Sequence, residues 1–263
     1  MNKLELSNVS ILKDIVEHNG VIGIKTSFED EGASFNEVLR LKELCNQAGT
    51  KLLLKISGAE AKRDLADSIV IGVKGIVAPM IESPFALEKY IDSAESILGK
   101  ELISNIQLGI NIETINAYKN FDKIVESKAF EKLYHVTLGR VDFVKSMNKD
   151  RTFCNSDDMF EIANEVFSKS RQKSKKVYLG GAISIDSKDF LNKLFTKGLL
   201  DKFETRYVIY DPAVALRDLD KSLIGGQKLE LGILNNRKNT YYYESQKEIN
   251  RIEMIEKRVN SQI

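Results

Sequence analysis

Cysteine and histidine are scarce in this sequence, and tryptophan is missing altogether. The two cysteines, Cys45 and Cys154, lie far apart with no metal-ligand spacing and no neighbouring histidine, which argues against a disulfide framework or a cysteine-based zinc site. Both are expected to be reduced thiols. An excess of one charge is also lacking: 39 Lys and Arg stand against 38 Asp and Glu, so no global field attracts nucleic acid or an acidic membrane. No apolar run approaches the length of a membrane span, and the stretch from Met1 to Leu6 lacks the apolar core of a signal peptide. A cytoplasmic setting is therefore expected, with neither nucleic acid nor membrane as partner.

What is present is a core and a rhythm. Hydrophobic residues make up 43% of the 263, enough for one large α/β domain or two small ones. Short apolar runs alternate with longer amphipathic stretches, the pattern of parallel βα units. Seven strands are expected, at 21–27, 51–57, 75–80, 106–112, 134–141, 176–183 and 205–210. Helix starts are marked by Ser34 with Glu37 three positions on, and by Pro84 and Pro212 after Ser83 and Asp211. Phe35, Val38, Leu39, Leu41, Leu44 and Cys45 fall largely on one face, as a helix covering a sheet requires.

A TIM-type (β/α) barrel over 1–212 is the architecture expected, its first strand either degenerate around 4–12 or missing. The alternative is an open doubly wound sheet, but the first loop, Glu29-Asp30-Glu31-Gly32, lacks the GxGxxG turn of a dinucleotide fold. Residues 213–263 lose the strand signal and read as a C-terminal helical extension, broken at Gly225-Gly226. Ile252, Ile255 and Val259 recur there at helical spacing, beyond Tyr241-Tyr242-Tyr243, and suit either a neighbouring subunit or the chain's own barrel.

In such barrels chemistry sits at the C-terminal strand ends. Here these carry Glu29-Asp30-Glu31, Lys55 through Glu60, Pro79 through Ser83, Glu113-Thr114, Gly139 through Asp142, and Gly180-Gly181. Glu113 and Asp142 follow consecutive strands, so two carboxylates would enter one mouth; oxygen ligation suits Mg²⁺ or Mn²⁺. Helix capping or plain solvation is the competing role for each acid alone. Arg206 and His135 open their strands and are expected at the opposite, structural end. Asp211 is expected to cap the helix at Pro212.

The segments GIKTSFEDEGAS, KLLLKISGAEAKRDL, GIVAPMIESPFAL, GINIET and LGRVDFVKSM resemble, in order and spacing, the HpcH/HpaI aldolase and citrate-lyase family over roughly residues 20–150. The resemblance places the family's two metal-binding carboxylates on Glu113 and Asp142, through Ile-Glu-Thr at 112–114 and Gly-x-x-Asp at 139–142. Pro79 and Glu82-Ser83 resemble its Pro-x-x-Glu-Ser strand end, and Glu29-Asp30 the Glu-Asp pair of the citrate-lyase branch. Two positions depart. Lys55 stands where the family has a substrate-gripping arginine, and Asp30 where the aldolase branch has a histidine. A point-charge ammonium does not reproduce a planar fork, so the substrate or its pose should differ.

The resemblance implies a divalent-metal-dependent carbon–carbon lyase or aldolase that acts on a pyruvate-like 2-keto acid through a metal-stabilised enolate. Lys55 and Arg140 would supply charge, and backbone N–H groups near Ser57-Gly58 and Gly139-Arg140 would donate to the anion. Both glycines also suit tight turns. The base would be metal-bound water, Asp30, Glu29 or the substrate itself. Lys55 could instead form a Schiff base, or an ion pair with Glu29 or Glu82. A CoA-thioester lyase and a non-catalytic barrel acting in binding or assembly are the alternatives. An aldehyde or CoA ester is the expected second partner, and a homo-oligomer the expected assembly.

Overall fold

A computed structural model describes residues 1–260. The chain opens with α1 (Lys3–His18) and then alternates: β1 (Val21–Ser27), α2 (Phe35–Gln47), β2 (Lys51–Lys55), α3 (Lys62–Ile71), β3 (Gly75–Ala78), α4 (Pro84–Ile103), β4 (Gln107–Ile112), α5 (Ile115–Lys119) and α6 (Phe121–Glu126). It continues through β5 (His135–Gly139), α7 (Arg140–Ser146), α8 (Asp157–Gln172), β6 (Lys176–Gly180) and α9 (Lys188–Thr196) to β7 (Lys202–Glu204), β8 (Val208–Tyr210), α10 (Pro212–Ala215) and α11 (Leu219–Asn260). The eight strands close in sequence order into one barrel, which rules out the open doubly wound sheet. The expected start signals act as read: Ser34 and Glu37 form a reciprocal capping box, and Pro84 and Pro212 stand at the beginnings of their helices.

The missing stave is not the first one. Residues 3–18 form a helix that starts at an Asn2–Glu5 capping box and buries Val9, Leu12 and Ile15 on one face. The eighth strand comes from splitting the last expected run, 205–210. Residues 202–204 pair parallel to β6, the chain turns through Thr205-Arg206-Tyr207, and β8 returns antiparallel to both β7 and β1. The turn is held by Thr205 N–H donating to the Val208 carbonyl at 2.9 Å. Reversal of β8 exchanges the ends assigned from sequence. Arg206 sits at the mouth with the strand C-termini, not at the structural end. Asp211 lies at the opposite end, where its N–H donates to Gly20 O at 2.8 Å and its carboxylate caps α10 through Ala213 N–H at 2.9 Å.

The expected break at Gly225-Gly226 does not occur, because α11 runs straight through it. These glycines and Gly232 give the helix a shallow face. A Cβ on Gly226 would lie 2.0 Å from the Tyr210 hydroxyl, and one on Gly232 would lie 1.9 Å from Asn8 Oδ1. Leu219, Leu223, Leu229 and Ile233 are buried on the body, whereas Ile252, Ile255 and Val259 are exposed. The far part of α11 therefore does not lie back on its own barrel. Cys45 and Cys154 are buried free thiols.

Inside the barrel the lowest layer is apolar, built from Leu53, Tyr178 and Ile209. His135 stacks on Tyr178 at 4.2 Å between ring centroids and is fully buried. Burial first, and then the charge of Lys202, push its pKa down from 6.5 to about 3, so it is a neutral packed imidazole. An unfolded histidine titrates near 6.5, so only the unfolded chain takes up this proton as pH falls. The resulting stability is intact above about 6.5 and lost progressively towards about 3. At pH 5 this residue should cost about 2 kcal/mol relative to pH 7 in urea unfolding. His135→Leu should flatten that part of the pH profile; an unchanged slope would contradict the buried neutral state.

Candidate active site

Strands with inward side chains at alternate positions build the site from below. Lys25 and Ser27 of β1, Lys55 of β2, Asn111 and Glu113 of β4 and its end, Thr137 and Gly139 of β5, Gly180 of β6 and Glu204 of β7 line a cavity of about 470 Å³. The segments beyond the strands add Asp30, Glu31, Arg151 and Arg206, and α7 adds Asp142 and Lys145. Glu113, directly after β4, and Asp142, in the first turn of the helix that follows β5, thus line the same space.

Glu113 is almost wholly buried, at 3% exposure. Its carboxylate accepts from Met80 N–H and from Asn111 Nδ2, each at 3.0 Å. Burial raises its pKa above the ordinary glutamate value; Lys55, the Met80 N–H and Asn111 oppose the rise, and Asp142 adds to it. Gly139 makes this position possible. A Cβ there would stand 2.8 Å from Glu113 Oε2 and 2.9 Å from Glu113 Cβ. Asp142 is more open and bonds Lys145 at 3.2 Å.

Of the two ion-pair partners considered from sequence, Glu29 and Glu82, Lys55 takes Glu29, at 2.6 Å. Burial would lower the ammonium pKa, but Glu113, Glu29 and Asp30 outweigh it, and the pKa lies above the usual lysine value. An ammonium whose pKa is held above its ordinary value is a poor Schiff-base nucleophile at neutral pH. Asp30 lines the cavity, and the loop that carries it is pinned where the Glu29 and Asp30 N–H groups donate to Ser27 Oγ at 3.0 and 2.9 Å.

Four residues singled out from sequence point elsewhere. Arg140 is fully buried with its guanidinium turned outward from the cavity, donating to Gly181 O at 2.7 Å, Cys154 O at 2.8 Å and Asn155 Oδ1 at 2.9 Å, and lying over the Phe190 ring. It supplies no charge to the cavity, because its donors are spent on tying down the β6 loop. Ser57 is turned to Asp64, which accepts from both its N–H and its hydroxyl at 2.7 Å. Gly58 does not line the cavity and has open space around it. Glu82 accepts from the Thr114 hydroxyl at 2.5 Å, a link between the β3 and β4 loops outside the cavity.

The sequence reading missed Lys25, Asn111, Thr137 and Glu204; it named Glu31 among the strand-end residues without giving it a role, and it placed Arg206 at the wrong end of the barrel. The first three were within reach, since Asn111 and Thr137 lie two residues before Glu113 and Gly139, and Lys25 two before Ser27, on the same strand face. Lys25 pairs with Glu204 at 3.0 Å. Burial pushes the Glu31 carboxyl up, against the pull of Lys25, Arg206 and a Ser27 backbone contact.

A closed α/β barrel with paired carboxylates at the C-terminal mouth defines the class: a TIM-type barrel whose polar residues converge where such folds place their chemistry. A sequence model of the HpcH/HpaI aldolase/citrate lyase family matches residues 39–191, over half of the chain. The chain belongs to that family, whose members are aldolases and lyases. The match spans Lys55, Glu82, Glu113 and Asp142 and begins after Glu29-Asp30. No curated protein matches the chain in sequence.

Solved structures share the fold at low identity. An HpcH/HpaI aldolase from Desulfitobacterium hafniense DCB-2 superposes with a TM-score of 0.60 at 15% identity, over 75% of this chain and 81% of that one. The citrate synthase SbnG gives 0.59 at 14%, over 84% and 89%. An HpcH/HpaI aldolase/citrate lyase family protein from Burkholderia cenocepacia J2315 gives 0.59 at 11%, over 75% and 82%.

Proposed function

We propose that the cavity is the active site of a divalent-metal-dependent carbon–carbon lyase or aldolase acting on a 2-keto acid. The observation that carries this reading is the placement of Glu113, a buried carboxylate whose charge is disfavoured, in one cavity with Asp142. Such a pair suits a hard cation. Among the described residues no group of three His, Cys, Asp or Glu side chains could form a cage. Two carboxylates completed by substrate and water are a common arrangement for Mg²⁺, and Mn²⁺ accepts similar oxygen ligands.

Glu113 and Asp142 would hold Mg²⁺ or Mn²⁺. The bound ion would act as a Lewis acid on the charge developing at the keto oxygen. Lys55, kept protonated by the carboxylates around it, binds the substrate carboxylate as a point charge. The Met80 and Asn111 donors fix the Glu113 carboxylate in one orientation before substrate arrives. Glu29 is committed to Lys55, which leaves Asp30 as the cavity carboxylate best placed to move a proton. The exposed apolar stripe of α11 supports a homo-oligomer within the same reading, and a single-chain mass by light scattering would remove that part.

Calorimetric titration with Mn²⁺, with and without pyruvate, tests the reading. Pyruvate should tighten Mn²⁺ binding in the wild type, and Asp142→Asn should weaken it while leaving the melting temperature nearly unchanged, since this half-exposed side chain is engaged only by the exposed Lys145 among the described residues. An unaltered chain indifferent to both ligands would favour the non-catalytic barrel.

A further inference from the structure

The reversed strand β8 has a chemical consequence. Its turn brings Arg206 to the cavity mouth, where a parallel last strand starting at that residue would have left it at the far end of the barrel. In the closed strand order β8 stands four staves from β4, so Arg206 faces the Glu113 side across the mouth.

The other cations facing this space are differently placed. Lys25 is paired with Glu204 at 3.0 Å, Lys55 is paired with Glu29 at 2.6 Å, and Lys145 with Asp142 at 3.2 Å. Arg151 also lines the cavity, from the segment between α7 and α8. Among the described residues Arg206 makes one loose ion pair, Nε to Glu31 Oε1 at 3.7 Å, and its side chain is 50% exposed. Glu31 is itself engaged by the Thr26 hydroxyl at 3.3 Å, and burial raises its pKa, which weakens it as a competing anion. Glu230 of α11 is the further carboxylate lining the mouth near β8.

We propose that Arg206 binds a second carboxylate, at the end of the substrate remote from Glu113 and Asp142; this rests on the function proposed above. A guanidinium offers two parallel N–H donors to a carboxylate, the geometry that Lys55 cannot supply. Glu31 acts as the positioning residue that keeps the fork over the mouth when the substrate is away. Arg206 is therefore a specificity residue, selecting ligands whose carboxylate lies several carbons from the keto group.

The matched pair 2-oxoglutarate and 2-oxopentanoate tests this, because the two differ only in the distal carboxylate. Titrated into the full chain with Mn²⁺, 2-oxoglutarate should bind about ten- to a hundredfold more tightly, the range of a charge-assisted hydrogen bond. Arg206→Gln should erase that preference and leave 2-oxopentanoate binding unchanged; Arg206→Lys should keep part of it. Equal binding of the pair by the wild type overturns the inference, as does a preference that survives Arg206→Gln. Pyruvate separates the two levels of failure. If pyruvate binds with Mn²⁺ but the pair is not distinguished, only the role of Arg206 falls; if no keto acid binds, the proposed function falls and the inference falls with it.

Discussion

Glu113→Gln is expected to weaken Mn²⁺ binding by about a hundredfold or more, since even outer partners of metal ligands are worth about ten- to a hundredfold in affinity. Titration of both forms in the presence of pyruvate reads the effect. The fold should survive. The side-chain volume is nearly unchanged, and the amide oxygen can still accept from Met80 N–H or from Asn111 Nδ2, although not from both with two oxygens. Stability should therefore move by no more than about 1 kcal/mol, because one retained acceptor offsets part of the loss and a buried charge with a raised pKa is relieved. A Glu113→Gln variant that binds Mn²⁺ as the wild type does would remove the carboxylate pair from the mechanism.

Gly139→Ala should disturb the same ion without touching a ligand atom. Its methyl group would arrive 2.8 Å from Glu113 Oε2 and 2.9 Å from Glu113 Cβ, closer than real Cβ contacts come. Glu113 has little freedom to yield, being buried and bonded from two sides, so the strand or the carboxylate has to shift. Overpacking of this kind costs about 1–3 kcal/mol, measurable by urea unfolding, and metal affinity should fall with it. Gly180→Ala is the control. A Cβ there meets Glu204 at 3.6 Å and Thr137 at 3.7 Å, which is ordinary contact. If Gly139→Ala is as mild as Gly180→Ala in both measurements, the close approach of β5 to Glu113 is not what sets the geometry of the pair.

The two predictions depend on different levels of information. Glu113 was legible in the sequence, because a polar residue straight after an apolar β-run in a βα pattern has one place to go. The need for a glycine at 139 had two readings in sequence, tight turn or donor; the closeness to Glu113 is a third reason, which arises only in the folded chain. Arg140 shows the opposite failure. Its position beside Gly139 suggested the cavity, but packing against Phe190 and three oxygen acceptors draws the guanidinium away. Local spacing fixes where a Cα lies, and the rotamer is chosen by what else is buried nearby.

By itself the sequence determined the barrel class, most staves and their helices, the capping signals, and the carboxylates at 113 and 142. These follow from periodicity and strand-end position, which are local properties of the chain. Tertiary structure alone decided the closure. A three-residue strand, Lys202–Glu204, carries too little pattern to be recognised, and the direction of β8 depends on which edges β7 and β1 leave open to pair. With that direction went the placement of Arg206 and Asp211. The glycines of α11 follow the same logic: in sequence they read as a helix breaker, and they stand within a helix because α1 and Tyr210 press against the face they leave bare.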